Sequence, residues 1–542
     1  MNDQDTSFEP KALHDYFIEI TKRPHPSANQ EGVTGNEDPV RQYVAEEAPK
    51  IGATVKFYNP DTQDPGQRVI VLSRPGSDDY KDKAPVILQA HMDMVYNPVN
   101  MEFPLQVIQD PDSGKTGRWI KAIDAKGTPC TLGADDGIGI ATAMAILADE
   151  NLKKYPVECL FTVQEETDMG GTNNCDLTKI GLTGNKLLNL DAETLNVIIY
   201  GSAGGAETSY QGNISRLESS DLDKYFPGGY EIKKVTVSGL RGGHSGVDIN
   251  KGRLNAIKVL TQALARLNKR ITNLDVSGHG IGVYNFLIGN IKRTDIIKAN
   301  AIPASAEAII ALPKADADNF AKDFNAYCGT LYAQNLPEEA GFKFDAVPST
   351  SSDQPLDTKS TDALLCMLQQ IPHGVMTMIP NPDFPGVVET STNLYNVAIK
   401  GSSVTIASSN RSSNDMALQA LEIAQKSIGT QNNFMVFTDI NNYSSWPPNA
   451  DSALLKLAGG VYKGIYGEKY EETVIHAGLE CGVLVKRFKD ELGKNLDAIS
   501  IGPTITNPHS PSESLQVETT DKTQTVQQFY NAVSQIIQAI FA

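Results

Sequence analysis

Three apolar runs in this chain each end in side chains that can bind a cation or carry a proton. APVILQAHMDMV, from Ala84, reads as a buried strand that delivers His91 and Asp93 at i and i+2, which point the same way on extended backbone. VECLFTVQEETDMGG, from Val157, ends in the adjacent pair Glu165 and Glu166, whose mutual repulsion calls for a cation or a raised pKa. KLLNLDAET, from Lys186, delivers Asp191. TLGADDGIGIATAMAILADE places Asp135 and Asp136 ahead of an Ala-rich helix, where the helix dipole favours negative charge. His509 lies just beyond another apolar strand, AISIGPT. Each feature alone has an ordinary explanation, such as an Asp N-cap or a surface histidine. Their recurrence at strand ends is what suggests a site, because sites assemble at the carboxyl ends of strands in α/β sheets.

Two imidazoles with three or four carboxylates and no thiolate suit zinc, manganese or cobalt. That is enough for two divalent ions, each with an open position. Such a pair would hold a bridging hydroxide and polarise a scissile carbonyl, leaving one carboxylate to move the proton. The six cysteines, Cys130, Cys159, Cys175, Cys328, Cys366 and Cys481, show no CxxC spacing, so neither a thiolate metal site nor a disulfide framework is expected.

With 542 residues the chain is too long for one core. Its 65 acidic against 47 basic residues give a net charge of -18, which argues against nucleic acid or an anionic membrane as partner. No signal-peptide pattern or run of bilayer length is seen, so a reducing, cytoplasmic location is expected. The first part alternates strands and helices, from a helix over 7–22 through the three strands above. From about Gln211 the texture becomes α+β, with Asn335 to Pro355 reading as loop, and from about Gln431 it is α/β again. The expected fold is therefore α/β. A discontinuous catalytic domain, 1–208 and 431–542, has a mixed sheet flanked by helices, and an α+β domain is inserted at 209–430. Repeated strand-helix-strand units in the insertion hint at an internal duplication.

AHMDMV, LGADDGIG, QEETDMGG, LNLDAET, GLRGGHSGVDIN, NAIP, VVETSTN, IHAGLECG and GPTITNPHSP follow in the order and spacing of a known family. The chain resembles the aminoacyl-histidine dipeptidases, the Xaa-His or cytosolic non-specific dipeptidases of the co-catalytic zinc peptidase clan, over nearly its whole length. The resemblance implies that Asp135 bridges two ions, with His91 and Asp191 completing one site and Glu166 and His509 the other. It makes Glu165 the general base and Asp93 the carboxylate that fixes the His91 tautomer. In the inserted domain, read as a lid that also dimerises, it implies that His244, Asn300 and Arg411 bind substrate. His244 polarises the carbonyl, from the other subunit in dimeric relatives. The roles of His476 and Glu480 stay open.

The expected activity is hydrolysis of unblocked dipeptides, including Xaa-His and β-Ala-His, with two zinc ions (manganese or cobalt as alternatives) and a homodimeric state. A tripeptidase, an N-acyl amino acid amidohydrolase and a non-catalytic metal-binding protein are the competing readings. Asp136, where relatives commonly have Asn, and NAIPASAE in place of NAIPRE are departures that bear on selectivity.

Overall fold

The computed structural model describes residues 6–542 except 28–36, 60–61, 112–115, 272–280, 296, 336 and 381–385. The chain divides into two compact units, Met1–Ser202 with Tyr443–Ala542, and Ala203–Asn442. The inserted unit thus begins before the expected 209 and ends after the expected 430. The reason is that Gly204–Asn213 and Met435–Tyr443 are neighbouring strands of one sheet, so both belong to the inserted unit.

The first unit is built on an eight-stranded mixed sheet. Its order is Thr54–Phe57, Ile70–Arg74, Val157–Thr162, Val86–His91, Lys186–Asn189, Asp497–Ser500, Val197–Ser202 and Glu471–Ile475. The four strands from Val157–Thr162 to Asp497–Ser500 run parallel. Val86–His91 and Val157–Thr162 are buried at every position, as strands covered on both faces must be. That is why they read as continuous apolar runs rather than alternating ones. The covering helix Ala134–Ala148 is itself buried along most of its length, consistent with its Ala, Ile and Gly composition.

A smaller five-stranded sheet carries Ile505–Thr506, Ser514–Glu518, Arg118–Ile123, Gln106–Gln109 and Pro129–Cys130. The expected hairpin over RWIKAIDAKGTPC is here, with Ala122 opposite Cys130. This sheet sets the turn that carries His509, between Ile505–Thr506 and Ser514–Glu518, beside the strand that leads into Asp135.

The second unit holds two sheets of the same build. Gly204–Asn213, helix Thr358–Gln370, Val388–Lys400, Ser403–Ser412, helix Asp415–Gln431 and Met435–Tyr443 form one strand-helix-strand-strand-helix-strand unit. Tyr230–Ser238, helix Ala256–Leu267, Leu287–Arg293, Ala306–Pro313, helix Ala317–Gln334 and Lys343–Pro348 form the other. In both sheets the strands lie in the order second, third, first, fourth, and the first sheet adds Gly374–Met378 at its edge. The second set is inserted into the first connection of the first set. A single apolar cluster, including Leu260, Phe320, Leu365 and Ile406, runs through both. The stretch from Asn335 to Pro355, expected as loop, contains the strand Lys343–Pro348; at the sheet edge it turns only Phe344 and Ala346 toward the core, a short pattern to read.

Candidate functional site

The parallel strands end side by side, and their ends carry the candidate ligands. His91 is the last residue of its strand and pairs with Thr162, which puts Glu165 and Glu166 at the mouth of the next strand. Asp191 follows Lys186–Asn189 on the other side of His91. Asp135 comes from the turn before helix Ala134–Ala148 and has non-helical backbone (φ -83°, ψ 105°), so its side chain faces the strand ends rather than capping the helix. His509 has φ 59°, a left-handed conformation uncommon for a residue with a Cβ and concentrated at functional sites.

The side chains meet. His91 Nε2 lies 3.0 Å from Asp135 Oδ1 and 3.5 Å from Asp191 Oδ1. His509 Nε2 lies 3.1 Å from Asp135 Oδ2 and 2.7 Å from Glu166 Oε1. Asp135 thus sits between the two imidazoles, one oxygen toward each. Glu166 Oε1 is buried and accepts no aligned hydrogen bond despite its close approach to His509. Among the described residues, two groups have donor atoms close enough together to hold a metal ion: His91, Asp135 and Glu166, and His91, Asp136 and Asp191.

The electrostatics fit a cation. Burial disfavours charge on His91, yet the carboxylates of Asp191, Asp135 and Asp93 raise its pKa well above the usual imidazole value. His509 is raised likewise, against burial, by Glu166 and Asp135. Burial opposes ionisation of Asp135, but His509 and His91 hold its pKa low. Burial, with Asp135 and Glu166 nearby, pushes Asp191 up to about 7. Burial together with Asp191, Glu166 and Glu480 raises Glu165 well above the usual carboxyl value. Carboxylates crowded in this way repel one another, and a divalent cation among them would relieve that repulsion. The donor set, nitrogen and carboxylate oxygen without thiolate, fits zinc, manganese or cobalt.

Asp93 does more than the expected contact with His91. The group beside His91 Nδ1 is the Asp93 backbone carbonyl, at 2.9 Å, while the carboxylate oxygen is 3.6 Å away. The carboxylate also accepts the backbone N–H of Glu165 at 3.0 Å and of Glu166 at 3.3 Å. One residue therefore sets the His91 tautomer through its main chain and fixes the Glu165–Glu166 turn through its side chain.

The structure adds roles for two further features. Asp136, buried, accepts from His91 N at 3.2 Å and Gly139 N at 3.1 Å, and so ties the strand end to the helix start. Beneath the ligands runs a buried polar layer. Asn189 donates to Gln89 at 2.7 Å, Gln89 donates to Glu480, and Thr162 donates to Glu480 at 2.6 Å. Gln89 and Asn189 each stand two residues before a candidate ligand, and amides inside otherwise apolar strands were the available signal. Burial pushes the Glu480 carboxyl up to about 7.

The candidate substrate residues lie in the second unit. His244 pairs with Ala301, next to Asn300, and Ser245 N donates to Asn300 O at 2.7 Å. His244 Nδ1 accepts from Gly246 N at 3.1 Å and Val247 N at 3.2 Å. Two donors on Nδ1 leave the ring proton of the neutral imidazole on Nε2. Arg411, buried on Ser403–Ser412, pairs with Ser391 of the strand Val388–Lys400. Asn393 of that same strand donates to Ala299 O and Ala301 O, which ties the Asn300 loop to it.

A cluster able to hold metal ions at the carboxyl ends of parallel strands in a mixed sheet, with an inserted α+β unit, fits a metallopeptidase. Residues 235–335 match the M20 peptidase dimerisation domain. The chain is 32% identical over 529 residues to the cytosol non-specific dipeptidase of Escherichia coli (strain K12), covering 95% of each. The crystal structure of aminoacylhistidine dipeptidase from Vibrio alginolyticus matches with a TM-score of 0.73 and 30% identity, over 99% of this chain and 98% of that one. The chain belongs to this family of M20 metallopeptidases and is a peptide hydrolase. No helix among the described residues is long and apolar enough to cross a membrane.

Proposed function

We propose that this protein hydrolyses unblocked dipeptides, Xaa-His and β-Ala-His among them, in the cytoplasm, using two divalent cations of which zinc is the first choice. The observation that carries this reading is the convergence of His91, Asp135, Asp191, Glu166 and His509, with Glu165 in the same turn as Glu166. Asp135, with one oxygen toward each imidazole, would be shared by both cations; His91 and Asp191 would help hold one, and Glu166 and His509 the other. When bound, such a pair supplies Lewis acidity and makes water nucleophilic near neutral pH.

The chain's own groups then carry the protons. The Glu165 carboxylate takes a proton from the attacking water and hands it to the leaving amine nitrogen. Asp93 holds Glu165 by its backbone N–H so that the carboxylate meets the water in one orientation. His244 presents Nε2–H as a donor suited to a developing oxyanion. Arg411 offers a guanidinium fork to the substrate carboxylate, and Asn300 holds a substrate polar group.

A homodimer fits the exposed apolar side chains of the second unit. Met416 and Ile423, 80% and 67% exposed, lie seven apart on helix Asp415–Gln431, and Met435 and Phe437 alternate along the edge strand Met435–Tyr443. Sedimentation of the active enzyme tests this; a single 58.6 kDa species refutes it.

The activity test is hydrolysis of Ala-His, β-Ala-His, triglycine and an N-acetyl amino acid, before and after chelation and with zinc or manganese restored. Metal-dependent cleavage confined to the free-amine dipeptides is expected, and Glu165→Gln should abolish most of it while metal stays bound. Cleavage of the tripeptide or the acyl substrate alone would transfer the site to those activities.

A further inference from the structure

Glu513 stands four residues beyond His509 and is fully buried. Its carboxylate accepts four consecutive backbone N–H groups. Leu132 and Gly133 donate to Oε2 at 2.7 and 2.9 Å, and Ala134 and Asp135 donate to Oε1 at 2.9 and 3.2 Å. A carboxylate has about four acceptor positions, so this one is saturated. The four amides form the turn that leads from the strand Pro129–Cys130 into helix Ala134–Ala148, and the turn presents Asp135.

The other end of Glu513 belongs to the turn that presents His509. Glu513 N donates to Ser510 O at 3.0 Å, and Ser510 Oγ donates to Asn507 O at 2.7 Å. Asn97 Nδ2 holds the His509 carbonyl at 3.1 Å. One side chain therefore clamps the Asp135 turn to the His509 turn, and the two functional side chains meet 3.1 Å apart at the far side of that clamp.

We infer that Glu513 is a positioning residue that fixes Asp135 relative to His509 and thereby sets the affinity of the site they share for a divalent cation. The inference rests on the two-cation reading above. A carboxylate is needed because it alone among uncharged or acidic side chains of this length accepts on both oxygens. Glutamine, of the same size, offers one acceptor and turns an NH2 group toward two N–H groups. The turn must then shift, and a shift of a few tenths of an ångström at Asp135 is felt by a ligand that serves both halves of the site.

The test measures zinc dissociation constants of the wild-type protein and Glu513→Gln by competition with a chromogenic chelator, with circular dichroism and thermal unfolding of the metal-free forms. Expected is a folded variant whose zinc affinity falls roughly 10- to 100-fold, the range for residues that orient ligands. A role confined to fold stability would lower the melting temperature and leave the dissociation constants of the folded protein unchanged, and that result overturns the inference. Should Glu513→Gln not fold, Glu513→Asp keeps both acceptors one methylene short and is read the same way, with weakened zinc binding expected and wild-type binding refuting. A wild-type protein that binds no zinc, manganese or cobalt would overturn the two-cation reading itself, whereas equal binding by wild type and variant overturns the role of Glu513 alone.

Discussion

Replacing Asp93 with asparagine should disable the site while leaving every candidate ligand in the chain. The carboxylate is buried and accepts from Glu165 N and Glu166 N. Asparagine can accept one of these and sets its NH2 group against the other. A hydrogen bond to a charged acceptor contributes about 1.5 to 3 kcal/mol, and a buried N–H left without a partner costs about 1 to 3 kcal/mol. Some of that is recovered by relaxation of the turn, so a net loss of about 3 kcal/mol at the Glu165–Glu166 turn is expected, or roughly 100-fold in an equilibrium or a rate. The turn carries both the candidate base and a candidate ligand, so the loss should divide between kcat and cation affinity, with KM little changed at saturating metal. His91 keeps its tautomer, because its Nδ1 partner is the Asp93 backbone carbonyl. The assay is initial-rate dipeptide hydrolysis with zinc in excess, paired with chelator competition, for Asp93→Asn, Glu165→Gln and the double variant. If Asp93 acts through Glu165, the two losses in kcat will not add. Full additivity, or a single variant within twofold of wild type in both rate and affinity, would refute the reasoning.

Three other outcomes follow from the geometry. His25 is buried and its pKa is pushed down to about 4 by burial, against an ordinary 6.5. The unfolded chain therefore takes up this proton first as pH falls. Stability from this group is complete above pH 6.5 and is lost between 6.5 and 4, by about 3 kcal/mol in all; urea unfolding across that window should be steeper for wild type than for His25→Gln, and parallel curves would sink the assignment. Gly502→Ala should loosen the Asp191 strand end, because a Cβ there would fall 1.6 Å from the Ala192 carbonyl oxygen. A stability loss of about 1 to 3 kcal/mol with weaker cation binding is expected, and calorimetry with metal titration checks both. Lys258 donates to the carbonyls of Leu368, Gln369 and Ile371 at the end of helix Thr358–Gln370. Burial pulls its pKa down to about 8, but three carbonyls at a helix C-terminus favour the ammonium, so it is charged at pH 7. Lys258→Met should destabilise the second unit by about 2 kcal/mol, seen as a lower urea midpoint; an unchanged midpoint would show the carbonyls find other partners.

The sequence by itself determined which residues could do the chemistry. His91, Glu165, Glu166 and Asp191 each follow a run of apolar residues long enough to be a buried strand, and burial on both faces leaves that run unbroken in the chain. The α/β class and the inserted α+β region were readable for the same reason, since periodicity reports which faces meet water. Strand order was not readable. Parallel neighbours such as Val86–His91 and Val157–Thr162 are joined through helices, and nothing local specifies which edges pair. Tertiary structure alone brought His509 to Asp135 across 374 residues. It also decided that the Asp93 carboxylate, 3.6 Å from His91 Nδ1, holds the Glu165–Glu166 turn as well, because only folding brings those two amides to it. Glu513 lies in a stretch rich in serine and proline, and only folding brings its carboxylate to four amides from a turn almost 400 residues away in the chain. Backbone donors carry no sequence signature, so where they are left unpaired, and which acid comes to satisfy them, is settled by the packed fold.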